Sequence, residues 1–120
     1  ENLMWKKFSK KIKKTIMTKK IYHLGYGGFS YPLTKQLIFD GRKNKVLNNK
    51  INLQIPVVLF HGSKDEVVPL NVSKKVLKIF NTSRKKLIKI KNGDHSLSRK
   101  NDLKKIHHEL NRMIKDYSLY

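Results

Sequence analysis

The apolar and polar positions divide the chain into a basic first part and a more regular second part. In residues 1–24, Ile12 and Ile16 belong to a near-helical apolar pattern among lysines, which predicts an amphipathic helix. Residues 25–31, Gly-Tyr-Gly-Gly-Phe-Ser-Tyr, are rich in turn formers and indicate a flexible link. We interpret residues 1–24 as a lid helix that covers a cleft. A helix lying on a membrane surface is the alternative.

A second helix is expected after this link. Pro32 is suited to a first helical turn, where its missing amide hydrogen is not needed. Leu33, Leu37 and Ile38 follow at helical spacing, and Gly41 is placed to end the helix. The pattern therefore predicts a helix that begins at Pro32 and ends near Gly41.

The pattern becomes regular in the second half of the chain. Ile55 to Phe60 is an unbroken apolar run, typical of a strand that is buried on both faces in a parallel sheet. The following segments predict a helix over Val72–Phe80, a strand over Lys86–Ile90 and a helix over Leu97–Ile114. Elements in this order form a βαβα unit, in which the two strands run parallel. The predicted fold class is therefore α/β, with residues 31–120 forming the βαβα part.

Composition changes this picture only in part. The chain has 28 Lys and Arg against 8 Asp and Glu, a formal net charge of +20, which favours a polyanionic partner. The basic residues are almost all Lys, and Ala is absent. This pattern fits a coding bias better than selection for nucleic-acid contacts, which usually favour Arg, so we expect no specific nucleic acid.

The chain has no Cys, which excludes disulfides and makes a reducing cytoplasm the expected location. No apolar run is long enough for a transmembrane segment, and the first residues are not a signal peptide.

Two chemically active side chains follow the ends of the two predicted strands. Asp65 lies in the loop after the first strand and His95 in the loop after the second. The carboxyl ends of parallel strands lie at one edge of the sheet, where ligands bind in open α/β folds. A carboxylate and an imidazole so placed can be the acid and base of a Ser-His-Asp triad. The imidazole suits this task because its unperturbed pKa of about 6.5 lies near neutral pH.

Two motifs resemble those of the α/β-hydrolase superfamily. Residues 56–69, Pro-Val-Val-Leu-Phe-His-Gly-Ser-Lys-Asp-Glu-Val-Val-Pro, resemble its acid-bearing segment. Residues 93–99, Gly-Asp-His-Ser-Leu-Ser-Arg, resemble its base-bearing loop. The order of acid before base is also the order in that superfamily. The resemblance implies the C-terminal part of an α/β-hydrolase fold, with Asp65 as the triad acid and His95 as the general base.

The resemblance extends to one branch of the superfamily. The Gly-Asp-His motif followed by Leu-Ser-Arg and by Asp102 is similar to bacterial relatives of the mitochondrial palmitoyl-protein thioesterase branch. Residues 2–8 and 31–42 are also similar to that branch. This similarity implies a substrate that is an ester or thioester of a long-chain acyl group. It also implies that residues 1–30 are the lid.

The nucleophile motif of the superfamily, Gly-x-Ser-x-Gly, does not occur in the chain, and neither does the segment that forms its oxyanion hole. No serine of the chain replaces it. Ser30 lacks the second glycine and a preceding strand, Ser63 lies in the acid-bearing segment itself, and Ser96 and Ser98 follow the base. Residue 1 is Glu, so we expect either a removed start or a piece of a longer protein. The chain is then a fragment of a serine hydrolase, inactive alone, and a separately encoded N-terminal half is a candidate partner. The alternative is a basic, non-enzymatic module that binds nucleic acid or anionic membrane.

Other acidic and imidazole side chains have simpler interpretations. Asp94 is a rival to Asp65 as the acid, but it adjoins His95 in sequence and is expected to fix its turn. His61 is expected to line the site or pack at the strand end. His107-His108-Glu109 lacks the spacing of a His-Glu-x-x-His zinc motif, and these histidines are expected on a solvated helix face. The sequence predicts no cofactor and no metal.

Overall fold

The computed structural model describes residues 2–117, with the side chains of residues 4–116. Its helices and strands are α1 (Asn2–Lys7), α2 (Lys10–Lys19), β1 (Ile21–Tyr26), β2 (Phe29–Thr34), α3 (Lys35–Lys43), β3 (Val57–Gly62), α4 (Leu70–Ile79), β4 (Lys85–Ile90) and α5 (Lys100–Tyr117), with a 3-10 turn over Val46–Asn48. The chain divides into two compact units, one ending at Val46 and the other beginning at Leu47.

Side-chain caps set the helix starts in the first unit. Helix α2 begins after Ser9, whose hydroxyl accepts a hydrogen bond from the Ile12 amide at 3.3 Å. Helix α3 begins after Thr34, whose hydroxyl accepts one from the Leu37 amide at 3.0 Å. The core of the unit consists of buried Ile16, Leu33 and Ile38, against which Trp5, Phe8, Ile12, Met17, Tyr22 and Leu24 pack.

Residues 25–31 are not a flexible link, and this prediction was wrong. They form the end of an antiparallel hairpin, in which Tyr26 pairs with Phe29 across Gly27 and Gly28. Both glycines have left-handed backbone angles, with φ of 57° and 80°, as a two-residue hairpin turn requires. Aromatic and branched residues flank this Gly-Gly pair, and that combination predicts a hairpin.

The helix expected from Pro32 begins later. Pro32 lies in β2 of this two-stranded hairpin. Each strand of a hairpin has an outer edge whose amides form no hydrogen bond to the partner strand, so a proline is tolerated there. Helix α3 contains Gly41 in its interior, so neither Pro32 nor Gly41 marks a helix boundary. Asn44 ends the helix instead, because its backbone and side-chain amides both donate to the carbonyl of Asp40 at 2.9 Å.

The second unit contains the predicted βαβα arrangement. Strands β3 and β4 are parallel, in a register from Val57 opposite Lys85 to Gly62 opposite Ile90. Helix α4 lies between them in sequence and contacts both strands, and α5 follows β4. The observed boundaries differ from the predicted ones by a few residues. The fold class is therefore α/β, with a parallel pair of strands accompanied by helices.

Burial of β3 on both faces is only partial. Val57, His61 and Gly62 are buried, whereas residues 58–60 are partly exposed, because the described sheet has two strands.

The division of the chain into a lid over residues 1–30 and a hydrolase part over residues 31–120 stays a prediction. The two compact units, which divide between residues 46 and 47, are defined by contacts and not by function.

Candidate active site

Two loops meet at the carboxyl edge of the parallel strands. Gly62 lies opposite Ile90 at the last position of the register, so the chain leaves β3 and β4 side by side. The Ser63 amide then donates to the carbonyl of Ile90 at 2.9 Å, and the Lys64 amide donates to the carbonyl of Gly93 at 2.8 Å. The acid-bearing and base-bearing loops are therefore joined through their backbones.

Two glycines permit this close approach. A methyl group on Gly62 would overlap backbone atoms of Gly93 and Asp94. A methyl group on Gly93 would lie 2.7 Å from the Leu97 side chain and 3.0 Å from the Gly62 Cα. Gly62 therefore needs glycine, because the facing backbone occupies the space that a side chain would fill, whereas a methyl group on Gly93 would require the Leu97 side chain to move.

Backbone amides fix the carboxylate of Asp65 in its loop. The Asp65 amide donates to the carbonyl of Gly62 at 3.1 Å. The Oδ1 atom of Asp65 accepts hydrogen bonds from the amides of Val67 and Val68 at 2.9 and 2.8 Å. A short carboxylate followed by free amides folds back on its own loop in this way. One oxygen is thus held by the loop, and Oδ2 is left for another donor.

That donor is His95, and the structure brings the two predicted site residues together. The Nδ1 atom of His95 lies 3.0 Å from Oδ2 of Asp65. The Asp65 side chain is 7% exposed and the His95 side chain 53% exposed. With Asp65 ionised, Nδ1 carries the proton and donates it, so Nε2 is the acceptor. This is the tautomer that a general base needs.

The electrostatic surroundings favour the ionised form of Asp65. Burial disfavours the charged carboxylate, but the Val68 amide, the His95 ring and the Val67 amide donate hydrogen bonds to it. These bonds, with the charge of the ring, hold the pKa of Asp65 below its ordinary value. The carboxylate is therefore ionised at neutral pH and can stabilise a protonated imidazole beside it.

Asp94, the rival acid, serves the turn. Its Oδ1 accepts a hydrogen bond from the Leu97 amide at 2.9 Å, which agrees with the role predicted for it. His61 is buried at the end of β3, and its Nδ1 lies 2.8 Å from the hydroxyl oxygen of Ser73 in α4. His61 therefore packs at the strand end.

The His-His-Glu run lies on α5. His107 and His108 are exposed, as predicted, whereas Glu109 is buried and forms ion pairs with Lys86 and Arg112. In the described part of the chain, no group of three His, Asp or Glu side chains could hold a metal ion. None of the described helices is long and apolar enough to cross a membrane.

Sequence reasoning missed two side chains that support the site. The Ser63 hydroxyl accepts a hydrogen bond from the Asn92 amide at 2.7 Å and so bridges the two loops. Arg99 forms an ion pair with Asp102 at the end of the base-bearing loop. In the sequence, Ser63 and Arg99 were marked only by lying inside the two motifs, and a position in a motif does not show which residues a side chain contacts.

No family model matches the chain, and no curated protein matches it in sequence. Solved structures do match. A provisionally named hydrolase from Agrobacterium vitis S4 is 22% identical, with a TM-score of 0.86 over 95% of this chain and 44% of that one. Alpha/beta hydrolase domain-containing protein 10 from mouse is 24% identical, with a TM-score of 0.79 over 94% of this chain and 46% of that one. The chain spans less than half the length of either protein. Over the residues that it covers, the chain has the α/β-hydrolase fold.

Proposed function

We propose that Asp65 and His95 are the acid and the general base of a serine hydrolase that acts on esters or thioesters. The observation that carries this proposal is the contact of 3.0 Å between Nδ1 of His95 and Oδ2 of Asp65. The other carboxylate oxygen is held by two backbone amides, so the orientation of the acid does not depend on the base. The α/β-hydrolase fold supports the same assignment.

The chemistry assigns one task to each group. In this proposal, Nε2 of His95 removes the proton of a serine hydroxyl while the serine oxygen bonds to the acyl carbon of the substrate. The ring then gives that proton to the leaving alcohol or thiol, and it later activates water to release the acid. Asp65 holds the ring in the required tautomer and balances its positive charge in the protonated state.

The serine and the oxyanion donors come from residues outside this sequence in our proposal, because no serine of the chain lies in Gly-x-Ser-x-Gly. They belong to a preceding segment of the same polypeptide or to a separately encoded N-terminal half. The surface of α5 supports such a partner, since Leu103, Leu110 and Ile114 share one face and are 50 to 54% exposed. An apolar stripe of this kind usually contacts another protein segment.

The acyl group and the cellular location are finer parts of the proposal. The motif resemblance favours a long-chain acyl thioester, as in an acyl-protein thioesterase. The likeness to the mouse protein is a likeness of fold. A cytoplasmic location fits the cysteine-free composition.

The test is to produce the chain together with the polypeptide encoded just before residue 1 in its gene and to measure hydrolysis of nitrophenyl esters and acyl thioesters of several lengths. We expect hydrolysis that falls by about a thousandfold or more in His95→Ala, because the base is lost. His107→Ala, which removes an exposed histidine of α5, is the matched control and should change the rate little. Equal rates in the wild type and in His95→Ala would contradict the proposal.

A second candidate function follows from the net charge of +20, which favours binding to nucleic acid or anionic membrane. Binding of labelled DNA, or of vesicles containing anionic lipid, can be measured as salt is raised. Saturable binding that persists at physiological ionic strength, with a preference for sequence or lipid, would favour this function. Weak binding that disappears with salt indicates only the lysine-rich composition.

A further inference from the structure

We propose that Arg99 is a positioning residue for His95, because its guanidinium joins the two ends of the segment between β4 and α5, residues 91–99, which contains the base-bearing loop. The clasp is defined here as Arg99 with its two acceptors, the carbonyl of Lys91 and the carboxylate of Asp102. This inference rests on the function proposed above for His95. It concerns how the ring is held against Asp65 and adds no step to the reaction.

The hydrogen bonds of Arg99 join the two ends of the loop. Its Nε donates to Oδ2 of Asp102 at 2.7 Å, and its Nη2 donates to Oδ1 at 2.8 Å. The same Nη2 lies 3.3 Å from the carbonyl oxygen of Lys91, the first residue after β4. The Asp102 amide also donates to the carbonyl of Arg99 at 2.8 Å. One side chain therefore connects the start of the loop with the first turn of α5.

The anchor of the clasp is a buried charge. The Asp102 side chain is 2% exposed, whereas that of Arg99 is 46% exposed. The hydrogen bond from Arg99 outweighs burial and lowers the pKa of Asp102. A buried carboxylate is tolerated when a cation pairs with it, and the planar guanidinium fork fixes the direction of both hydrogen bonds. Arg99 is thus held in one orientation by a group that is fixed within the second unit.

The second half of the loop needs such an anchor. Residues 91–94 are joined to the acid-bearing loop through the bond from the Lys64 amide to Gly93. The part that follows carries His95 and contains Leu97, whose φ of 48° is left-handed although it is not glycine. A residue in this conformation keeps it only when its surroundings hold it there. The Leu97 amide also donates to Oδ1 of Asp94. Without Arg99 this bond alone holds the turn, and we expect Leu97 to return to an ordinary φ and His95 to move away from Asp65.

Helix α5 offers a matched control in a second buried ion pair. Glu109 is 10% exposed and pairs with Lys86 of β4, so this pair joins strand and helix without touching the base-bearing loop. The clasp variant is Arg99→Gln with Asp102→Asn, and the control variant is Lys86→Gln with Glu109→Gln. Each variant removes both charges, so neither leaves a buried charge without a partner.

The readout is the proton NMR signal of the His95 Nδ1–H in the full chain, assigned by its absence in His95→Gln. A hydrogen bond to a carboxylate protects this proton from exchange and moves its signal downfield. We expect the signal in the wild type and in the control variant, and its loss in the clasp variant. Arg99→Lys, which keeps the charge next to Asp102, covers the case in which the clasp variant does not fold. We expect it to weaken the signal, because one ammonium cannot reach both acceptors.

A signal that survives at full intensity in the clasp variant or in Arg99→Lys would overturn the proposal. So would equal loss in the clasp and control variants, or absence of the signal in the wild type. Failure of the proposed function gives a different result, in which the NMR contrast is present but no hydrolysis depends on His95. Hydrolysis that depends on His95 but is unchanged in the clasp variant refutes the positioning role alone.

Discussion

The two compact units of the chain bury different kinds of side chain. The described core of the first unit is apolar, with Ile16, Leu33 and Ile38 at 0 to 5% exposure. In the second unit the apolar side chains of Val57 and Ile90 are buried together with the polar ones of His61, Thr82, Asp102 and Glu109. Large apolar side chains of α5, among them Leu103 and Leu110, are half exposed instead.

This difference shows what each unit is built to do. An apolar contact has no preferred direction, whereas a hydrogen bond fixes the direction of the side chains that form it. His61 lies at the end of β3, just before the acid-bearing loop, and Asp102 is paired with Arg99 at the end of the base-bearing loop. We infer that the second unit holds a site in position and that its outward apolar stripe is available to a partner.

The largest effect is expected from the core of the first unit. Ile16→Ala removes a fully buried side chain and should lower the free energy of unfolding by about 3 kcal/mol. Trp5 packs against this core and is the only Trp of the chain, so its fluorescence during urea unfolding reports on this unit. The control is Ile21→Ala, which changes a side chain that is 41% exposed and should cost less than about 1 kcal/mol. Equal losses of unfolding free energy in Ile16→Ala and Ile21→Ala would contradict the prediction that the buried position contributes more to stability.

The next effect is expected where the two loops of the second unit touch. Gly62→Ala places a methyl group against the backbone of Gly93 and Asp94 and should cost about 2 kcal/mol. Hydrogen exchange of the β3 and β4 amides measures this cost. The control is Gly25→Ala in β1, where nothing lies within 4 Å of the new methyl group. Exchange of the β1 and β2 amides should show a cost of less than about 0.5 kcal/mol for it. An Asp65–His95 contact that is unchanged in Gly62→Ala would contradict the role given to the close approach.

A graded effect is expected on lowering the pH. The folded pKa values of Asp65, Asp102 and Glu109, all in the second unit, are lowered by the hydrogen bonds and cations next to them. Such groups bind more protons in the unfolded chain, whose values are about 3.9 for Asp and about 4.3 for Glu. Their contribution to stability is therefore complete above about pH 5 and is lost as the pH falls further. Exchange rates of β4 amides as a function of pH measure this loss, which should be smaller in Asp65→Asn. Stability of the second unit that is constant down to pH 2 would refute the assignment.

The smallest effect is expected on the exposed stripe of α5. Leu110→Ser changes a side chain that is 50% exposed and should alter the stability of the chain by less than about 0.5 kcal/mol. The same change should weaken association with the polypeptide that carries the nucleophile, measured by calorimetric titration of the two components. A cost above about 1 kcal/mol in the chain alone would show that the stripe is already packed.

The second unit was predictable from sequence to a large extent. The run from Ile55 to Phe60 and the alternation before Ile90 predicted two strands, and their order with α4 predicted parallel pairing, which is confirmed. The parallel register then accounts for the meeting of Asp65 and His95 across thirty residues. The close contact of Gly62 with Gly93 was not predictable, because a glycine that avoids a clash and a glycine in a turn look alike in sequence.

The first unit was predictable only in its helices. The turn formers in residues 25–31 predicted a link, although a Gly-Gly pair between aromatic residues is also the pattern of a two-residue hairpin. Pro32 and Gly41 carried boundary signals, but capping by Thr34 and Asn44 set the ends of α3.

In the second unit the burial of Asp102 was also missed, since a charged residue close to lysines is normally solvated.

The central claim is that Asp65, and not its rival Asp94, serves His95 as the triad acid. The direct measurement is the rate of ester or thioester hydrolysis by the chain together with its nucleophile-bearing partner, in Asp65→Asn and in Asp94→Asn. We predict a loss of about four orders of magnitude in Asp65→Asn, because an amide holds the ring in the wrong tautomer. Asp94→Asn should reduce the rate by less than about tenfold, because an amide oxygen can still accept the turn hydrogen bond from Leu97. Losses in the reverse order, or equal losses, would contradict the account.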